Sequence, residues 1–309
     1  MQYLFQKTAA ALLLLAACNG PQQPKKDAGS DSTAVSDTTT AVTDSLPEPY
    51  ATKSTVNFGN VMGWHDGKTP TAPASTTVTA FATELKNPRW IYVLPNGDII
   101  VAESSTHSKI SAKVKDAVSG KAGSGNFGNS ADRITLLRDA DNDGKPELRS
   151  ILISELNQPF GMLLIKNNLY IANTDGVYQF PYKTGDTSIK VKGKKILDLP
   201  AGGYNNHWTR NLLANEAGTK IYVTVGSGSN VAEHGMENEQ RRANILEINP
   251  DGTGERVYAS GLRNPVGLGW APGTHTLWTA VNERDELGDE LVPDYLSSVK
   301  EGGFYGWPY

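Results

Sequence analysis

The segment YNNHWTRNLL, residues 204–213, sets His207 among Asn205, Asn206, Arg210 and Asn211 just ahead of a strand-like run. Turn chemistry asks for Gly, Asp or Pro at such a place, so amides, a cation and an imidazole there need another reason. A histidine titrates near neutrality and can take a proton from a substrate hydroxyl, which makes His207 a candidate general base. His65, His107, His234 and His275 compete for that role, but none stands at a repeated position in the chain. His275, in APGTHTLW, reads as an outer turn residue.

Two further segments carry charge in a suggestive order. GLRNP, residues 261–265, pairs Arg263 with Asn264. A planar guanidinium beside an amide suits two-point contact with a flat anionic ligand, although a solvated loop arginine fits the same letters. NERDELGDEL, residues 282–291, gathers five acids in a short loop that is either a solvated face or a cation site.

DADNDGKPE places oxygen side chains at Asp139, Asp141, Asp143 and Glu147, with Gly144 free to make the sharp turn. Calcium takes roughly six to eight oxygens, and four carboxylates with nearby carbonyls approach that number. The EF-hand pattern fails, because Ser150 stands where the closing Glu belongs and no flanking helix is indicated. A shorter propeller-type calcium loop fits better, and a metal-free polar hairpin is the alternative.

The elements that must position these groups read as strands. NPRWIYVLPNGDIIVAE from Asn87, QPFGMLLIKNNLYIANTDGVYQF from Gln158, HWTRNLLANEAGTKIYVTVGSGSN from His207 and NPVGLGWAPGTHTLWTAVNER from Asn264 share one layout. Each has a polar or Asn-Pro entry, a few apolar residues, a tight turn and an alternating or β-branched run. Asn96-Gly97, Asn167-Asn168 and Asp251-Gly252 supply turn residues that tolerate positive φ.

The repeats start roughly 50 to 70 residues apart, which leaves room for about four strands each and marks a β-propeller rather than a sandwich. The shared entry residues then point along one end of the central channel. Ser104–Asp132, rich in Gly, Ser and Lys, reads as a long surface insertion, and VAEHGMENEQRR as another.

Composition sets the outer limits. With 31 Gly and 17 Pro in 309 residues, and few long helical stretches, the chain favours short strands joined by turns. A net charge of -4 without a basic run argues against a nucleic-acid surface. Cys18 is the one cysteine, which excludes an internal disulfide framework. It follows Lys7 and an apolar run from Thr8 to Ala17 that is too short to span a bilayer.

Leu15, Ala16, Ala17 and Cys18 resemble the lipobox of bacterial lipoproteins, in which the cysteine is lipidated and becomes the mature N-terminus. An ordinary secretory signal is the alternative. Residues 19–50 have few large apolar side chains and form an expected flexible tether, which leaves 51–309 as the folded domain. The expected location is the cell envelope of a Gram-negative-type bacterium, with membrane attachment through the lipid only. Asn19 in place of Asp favours the outer membrane.

RITLLRDADNDGKPE, LNQPFGM, NNHWTRNLL, GLRNPVGLGW, NERDELGDEL and the closing GGFYGWPY, taken in order, resemble the pyrroloquinoline quinone (PQQ)-dependent sugar dehydrogenases. They are most similar to the sorbosone dehydrogenase-like branch of the glucose and sorbosone dehydrogenase family. The resemblance implies an all-β, six-bladed propeller, of which about four blades are accounted for here.

It implies PQQ and calcium at the channel mouth, His207 as the catalytic base, and Arg263 with Asn264 against the quinone. Arg263 would also stabilise negative charge on the quinone oxygen. The backbone carbonyls of Arg284 and Asp285 match those that hold the cofactor's calcium, and Glu290 matches a carboxylate associated with a second, structural calcium. The implied reaction oxidises a sugar or related alcohol by hydride transfer to the quinone. Reducing equivalents would pass to a soluble or membrane acceptor that leaves no local motif.

Three departures bear on that expectation. Ser227 stands where soluble glucose dehydrogenases carry an Asp that orients the histidine, so the support of His207 is expected to be weaker or to come from elsewhere. Arg284-Asp285 replaces a Gly-Pro. The family pattern continues for roughly two blades beyond YGWPY, so a shortened copy that binds quinone poorly is expected. A calcium-dependent propeller lactonase and a non-catalytic surface propeller that binds glycans or proteins are the competing readings.

Overall fold

The computed structural model describes residues 50–55, 59–64, 67–107 and 129–309. The expectations for Cys18, the signal segment and nearly all of the tether lie outside these residues, as does His65.

Four antiparallel sheets follow one another along the chain, each a simple meander. The first holds β1 (Pro88–Val93), β2 (Ile99–Glu103), β3 (Arg133–Arg138) and β4 (Leu148–Ile153). The second holds β5 (Met162–Ile165), β6 (Asn168–Asn173), β7 (Gly176–Pro181) and β8 (Lys194–Asp198). The third holds β9 (Leu212–Ala214), β10 (Ile221–Val225), β11 (Asn244–Ile248) and β12 (Arg256–Ser260). The fourth holds β13 (Asn264–Trp270), β14 (Leu277–Asn282) and β15 (Tyr295–Val299).

The leading strands β1, β5, β9 and β13 neighbour one another in that order, so the sheets stand as blades of a propeller. Helix is confined to a short 3-10 turn, Met236–Glu239, among the named elements.

The core lies between blades. Ile100, Ile134, Leu136 and Leu152 of the first blade meet Met162, Leu169, Ile171 and Phe180 of the second. Leu163, Tyr170 and Val177 meet Leu212, Ile221, Val223 and Leu246 of the third. Tyr222, Ile245 and Ala259 meet Leu277, Val281 and Val299 of the fourth. The middle strands β6 and β10 are buried on both faces, which explains why they read as continuous apolar runs, whereas β14 in the fourth sheet alternates buried and exposed residues.

Strand parity decides where the loops go. Four antiparallel strands are an even number, so the chain leaves each blade at the end where it entered. That upper end therefore collects every blade-to-blade connection and every loop between second and third strands. The lower end collects the remaining hairpins, such as Leu94–Asp98 between β1 and β2.

Two sequence expectations shift. Asn167-Asn168 does not form the β5–β6 turn; Ile165 pairs with Asn168, so Lys166, at φ 54°, and Asn167 make it. The register of the apolar residues wins over the turn preference of asparagine. The Ser104–Asp132 insertion also begins inside the fold. Ser104 and Ser105 are buried, Ser104 Oγ donates to Pro159 O at 2.7 Å, and Gln158 Nε2 donates to Ser105 O at 3.0 Å. Residues 108–128 of that insertion lie outside the described part.

Candidate active site

His207 sits on the connection from β8 to β9, at the upper end. Its Nδ1 lies 2.9 Å from both the carbonyl oxygen and the Oγ of Ser227. A carbonyl can only accept, so Nδ1 carries the proton and the lone pair of the neutral ring is on Nε2. Ser227 Oγ spends its own proton on Ser229 O at 2.6 Å, which leaves it free to accept from the ring as well. The serine expected to weaken the histidine's support thus supplies two acceptors in place of a carboxylate. A carboxylate would raise the imidazole's basicity; these neutral acceptors do so less.

Burial is the main reason the His207 pKa falls to about 4, with the nearby Arg263 charge adding to it; Arg210 lowers it further, while the Ser227 bond and Asp285 act in the opposite direction. The ring is therefore neutral at ordinary pH, as a proton acceptor requires.

Gly226 brings His207 and Asn264 together. A Cβ there would lie 2.5 Å from His207 Cβ and 2.6 Å from Asn264 Oδ1, so no larger residue fits without movement. Asn264 Oδ1 is buried and has no hydrogen-bond partner.

Arg263 is spent differently from the sequence expectation. Its Nε donates to Asn230 O at 3.0 Å, and Nη2 donates to Asn230 Oδ1 at 2.8 Å and to Asp285 Oδ2 at 2.7 Å. Nη1 donates to Asn282 O at 3.4 Å and to Glu283 O. A guanidinium has five N–H groups, and each has an acceptor on these loops. In this arrangement Arg263, 2% exposed, clamps the loop after β14 to the loop after β10, with no N–H left over for a quinone.

The acidic loop is likewise engaged by its surroundings. Asp285 pairs with Arg263, its N–H donates to Asn230 Oδ1 at 2.9 Å, and its carbonyl accepts from Asn230 Nδ2 at 3.1 Å. One lone pair of the Asp285 carbonyl expected to face calcium is thereby used. Asp294 accepts from Asn282 Nδ2 and Glu283 N, both at 2.9 Å. Asp289 accepts from Thr55 N at 2.8 Å. Glu290 is exposed and lines a cleft of about 570 Å³ with Arg284, Glu286 and Asp289, but these acids do not converge on one point.

Convergence is found elsewhere. Asp139, Asp141, Asp143 and Glu147 bring one carboxylate oxygen each to within 4.8 Å of one another, the one such group among the described residues. Backbone N–H groups fold the loop: Gly144 N donates to Asp139 Oδ2 at 2.8 Å and Ala140 N to Glu147 Oε2 at 2.7 Å. Gly144 turns at φ 86°, where only glycine is at ease. This β3–β4 hairpin belongs to the lower end, beside the two-point Arg138–Asp98 pair whose contacts are both 2.7 Å. It is separate from the His207 region.

The sequence left Arg210 without a role. It is fully buried, and burial lowers its pKa to about 9, with Arg242 adding to the effect. Its fork holds four acceptors: His207 O at 2.6 Å, Thr209 O at 3.0 Å, Pro200 O at 2.9 Å and Asn205 Oδ1 at 3.1 Å. Asn211 closes the blade junction, donating from Nδ2 to Val266 O at 2.8 Å.

The other described histidines have partners or settings of their own. His107 lies 3.2 Å from Asp132, His234 packs on Tyr204 at 4.2 Å, and His275 is exposed on the lower β13–β14 hairpin.

Buried polar atoms without a partner mark the same end. Among the described residues they include Oδ1 of Asn173, Asn244 and Asn264 and Nε of Arg210 and Arg284, all at upper-end positions; Tyr182 Oη alone belongs to the lower end. Folded proteins satisfy most such atoms, and among the described residues the exceptions gather at the upper end.

The TrAA12-like family model matches residues 70–294, most of the chain. The chain belongs to the TrAA12-like family. An uncharacterized protein of Borreliella burgdorferi is 28% identical over 163 residues, covering 50% of this chain and 42% of that protein. A calcium structure of the Trichoderma reesei member of Carbohydrate-Active Enzymes Family AA12 superposes with a TM-score of 0.58 at 17% identity, covering 74% of this chain and 57% of that one.

The PQQ-bound form of an aldose sugar dehydrogenase from Streptomyces coelicolor superposes with a TM-score of 0.51 at 18% identity, over 75% of this chain and 66% of that one. These likenesses establish the all-β propeller fold of the TrAA12-like chain. The chain spans less than half of the Borreliella relative and 57% of the AA12 structure.

Proposed function

We propose that this TrAA12-like chain forms part of an oxidoreductase that uses PQQ to oxidise a sugar or related alcohol, with His207 as the general base. The observation that carries this reading is the fixed tautomer of His207. Ser227 holds Nδ1–H, which leaves Nε2 as the neutral acceptor of a ring whose Cβ shares the Gly226 wall with the unpartnered amide oxygen of Asn264.

The residues fit a flat, anionic, polar ligand. Buried cationic nitrogens at Arg210 and Arg284 lack acceptors, the amide oxygen of Asn264 lacks a donor, and Gly226 keeps the wall between His207 and Asn264 thin. Asn264 and Arg284 would hold PQQ, while Arg263 would fix the loops around it rather than contact it. When bound, PQQ supplies the two-electron acceptor, and calcium on the carbonyls of Arg284 and Asp285 would strengthen it as a Lewis acid.

His207 Nε2 takes the proton of the substrate hydroxyl, and the ring remains anchored through Nδ1 as it becomes charged. Glu290 would lie near a second calcium, and the Asp139–Glu147 loop would bind calcium in a structural role only. On the motif resemblance the sorbosone-type branch is the proposed subgroup, and Cys18 the lipid attachment that holds the protein on the envelope.

The test is dye-linked oxidation of a panel of aldoses and polyols by the natural full-length protein, with and without PQQ and calcium. Turnover that requires PQQ is expected. Its absence from a folded full-length protein defeats the proposal, and lactone hydrolysis with calcium alone would establish the lactonase reading instead.

A further inference from the structure

Arg210 is a buried cation with no carboxylate bound to its fork; its partners are three backbone carbonyls and one amide. Such a group is costly to bury, and it persists only where oriented dipoles replace its hydration. Those dipoles all belong to one loop, residues 200–209, and the shortest contact is to the carbonyl of His207 itself. The imidazole is held separately, through Ser227 and Ser229, and behind them by Glu239, which accepts from Gly228 N at 2.7 Å and from Ser229 Oγ. His207 is therefore gripped at two places, its backbone by Arg210 and its ring by the 227–229 segment.

Arg242 extends the first grip. Its Nη1 donates to Asn205 Oδ1 at 2.8 Å, the same oxygen that Arg210 binds. Asn205 Nδ2 in turn donates to Thr174 Oγ1 at 3.0 Å, which ties the loop to the second blade. Asn205, Arg210 and Arg242 thus share one task around His207, while Asn211 closes the blade junction.

We infer that Arg210 is a positioning residue for His207: by holding the carbonyls of His207, Thr209 and Pro200 in one planar fork, it sets where the imidazole stands against Ser227. Lysine cannot reproduce this, because a single ammonium offers three rotating donors in place of a fixed fork. The charged groups facing the imidazole are Arg263 from β13's entry, Asp285 from the loop after β14, and Arg210. The inference concerns the ring's placement. Its catalytic consequence rests on the proposed role of His207, and its geometric consequence does not.

The experiment uses the natural full-length protein with 15N-labelled histidine, and the His207 ring signals are assigned by their loss in His207→Gln. Wild type is expected to show a single Nδ1–H tautomer. In Arg210→Lys the two ring nitrogens should move toward averaged shifts, and kcat for sugar oxidation should fall about a hundredfold with KM little changed, the size of loss that an ångström-scale misplacement causes.

Arg242→Lys leaves the bond to the His207 carbonyl in place and should keep the single tautomer. If Arg210→Lys keeps the wild-type ring pattern, the inference is overturned, whatever the activity does. Averaged tautomers with unchanged kcat would uphold the positioning and remove His207 from catalysis. Should Arg210→Lys fail to fold, Arg210→Gln, which removes the buried charge together with the fork, takes its place, and a wild-type His207 ring pattern there overturns the inference equally.

Discussion

The two ends of the propeller solve the same problem in opposite ways. At the lower end, Arg138 meets Asp98 through two parallel contacts and the acids of the Asp139–Glu147 loop are matched by backbone N–H groups. At the upper end, Arg210 is buried without an acid and Asn264 Oδ1 and Arg284 Nε have no partner. The same blades carry both ends, so the difference is not one of fold. Polar groups at the lower end serve the hairpins that contain them, while at the upper end pairs such as Arg263–Asp285 stand beside several buried atoms without a partner among the described residues.

The sharpest way to break this contrast is His207→Gln. It should reduce kcat for sugar oxidation by about a hundredfold to ten-thousandfold while stability at neutral pH changes little. A variant with wild-type turnover would place the base elsewhere.

Gly226→Ala tests the same wall by volume. Its Cβ would press on His207 and Asn264, and a loss of about 1 to 3 kcal/mol in chemical denaturation is expected. Gly269→Ala is the control, since nothing lies within 4 Å of its Cβ position. Equal effects at the two sites would show that the wall between His207 and Asn264 is not tightly built.

His207 also predicts a pH dependence of stability. The folded imidazole protonates near pH 4 because it is buried, whereas an unfolded histidine does so near 6.5. Between those values the unfolded state binds the extra proton, so stability is complete above about pH 6.5 and falls as pH drops to 4, by about 3 kcal/mol. The wild-type slope should be steeper than that of His207→Gln over this window, and identical slopes would refute a buried neutral ring.

At the lower end, Asp98→Asn should cost about 1 to 3 kcal/mol, because the Arg138 contacts go from charged to neutral, and leave turnover intact. Arg138 holds the Asp98 carboxyl below the usual range, so this contribution is present above about pH 3.9 and fades as pH falls through the lowered value. Lost catalysis in this variant would show that the ends are coupled.

The effect furthest from the candidate site concerns calcium. A hundredfold excess over its Kd should raise stability by about 2.7 kcal/mol if the Asp139–Glu147 loop binds it, and Asp141→Asn should lessen that gain. No calcium response in wild type would make this loop a plain polar hairpin.

The propeller was legible because its signal is local and repeated: polar entry, apolar run, turn, β-branched run. Asp251-Gly252 behaves as its dipeptide suggests, with Gly252 at φ 90°. The Lys166-Asn167 turn does not, because strand register outweighs a dipeptide preference. At the candidate site, the sequence singled out His207 and Asn264 as neighbours in role, and they share the wall at Gly226.

It could not show where the donors of Arg263 go, because its acceptors sit at Asn230, Asn282, Glu283 and Asp285, on two separate loops. Ser227 told only part of the story for a related reason. A letter reports the side chain, but half of the support for His207 comes from a backbone carbonyl, which every residue has. Arg210 left a faint signal only: a cation three residues after the histidine, where the strand was due to begin.

The even number of strands in each complete blade has a practical consequence. Tethering chemistry applied to the hairpin around Thr274 and His275, which is exposed and at the lower end, would fix the molecule to an electrode or bead with its upper face turned toward the solution. Labels grafted there would report on orientation while leaving the His207 loops open to diffusing substrate.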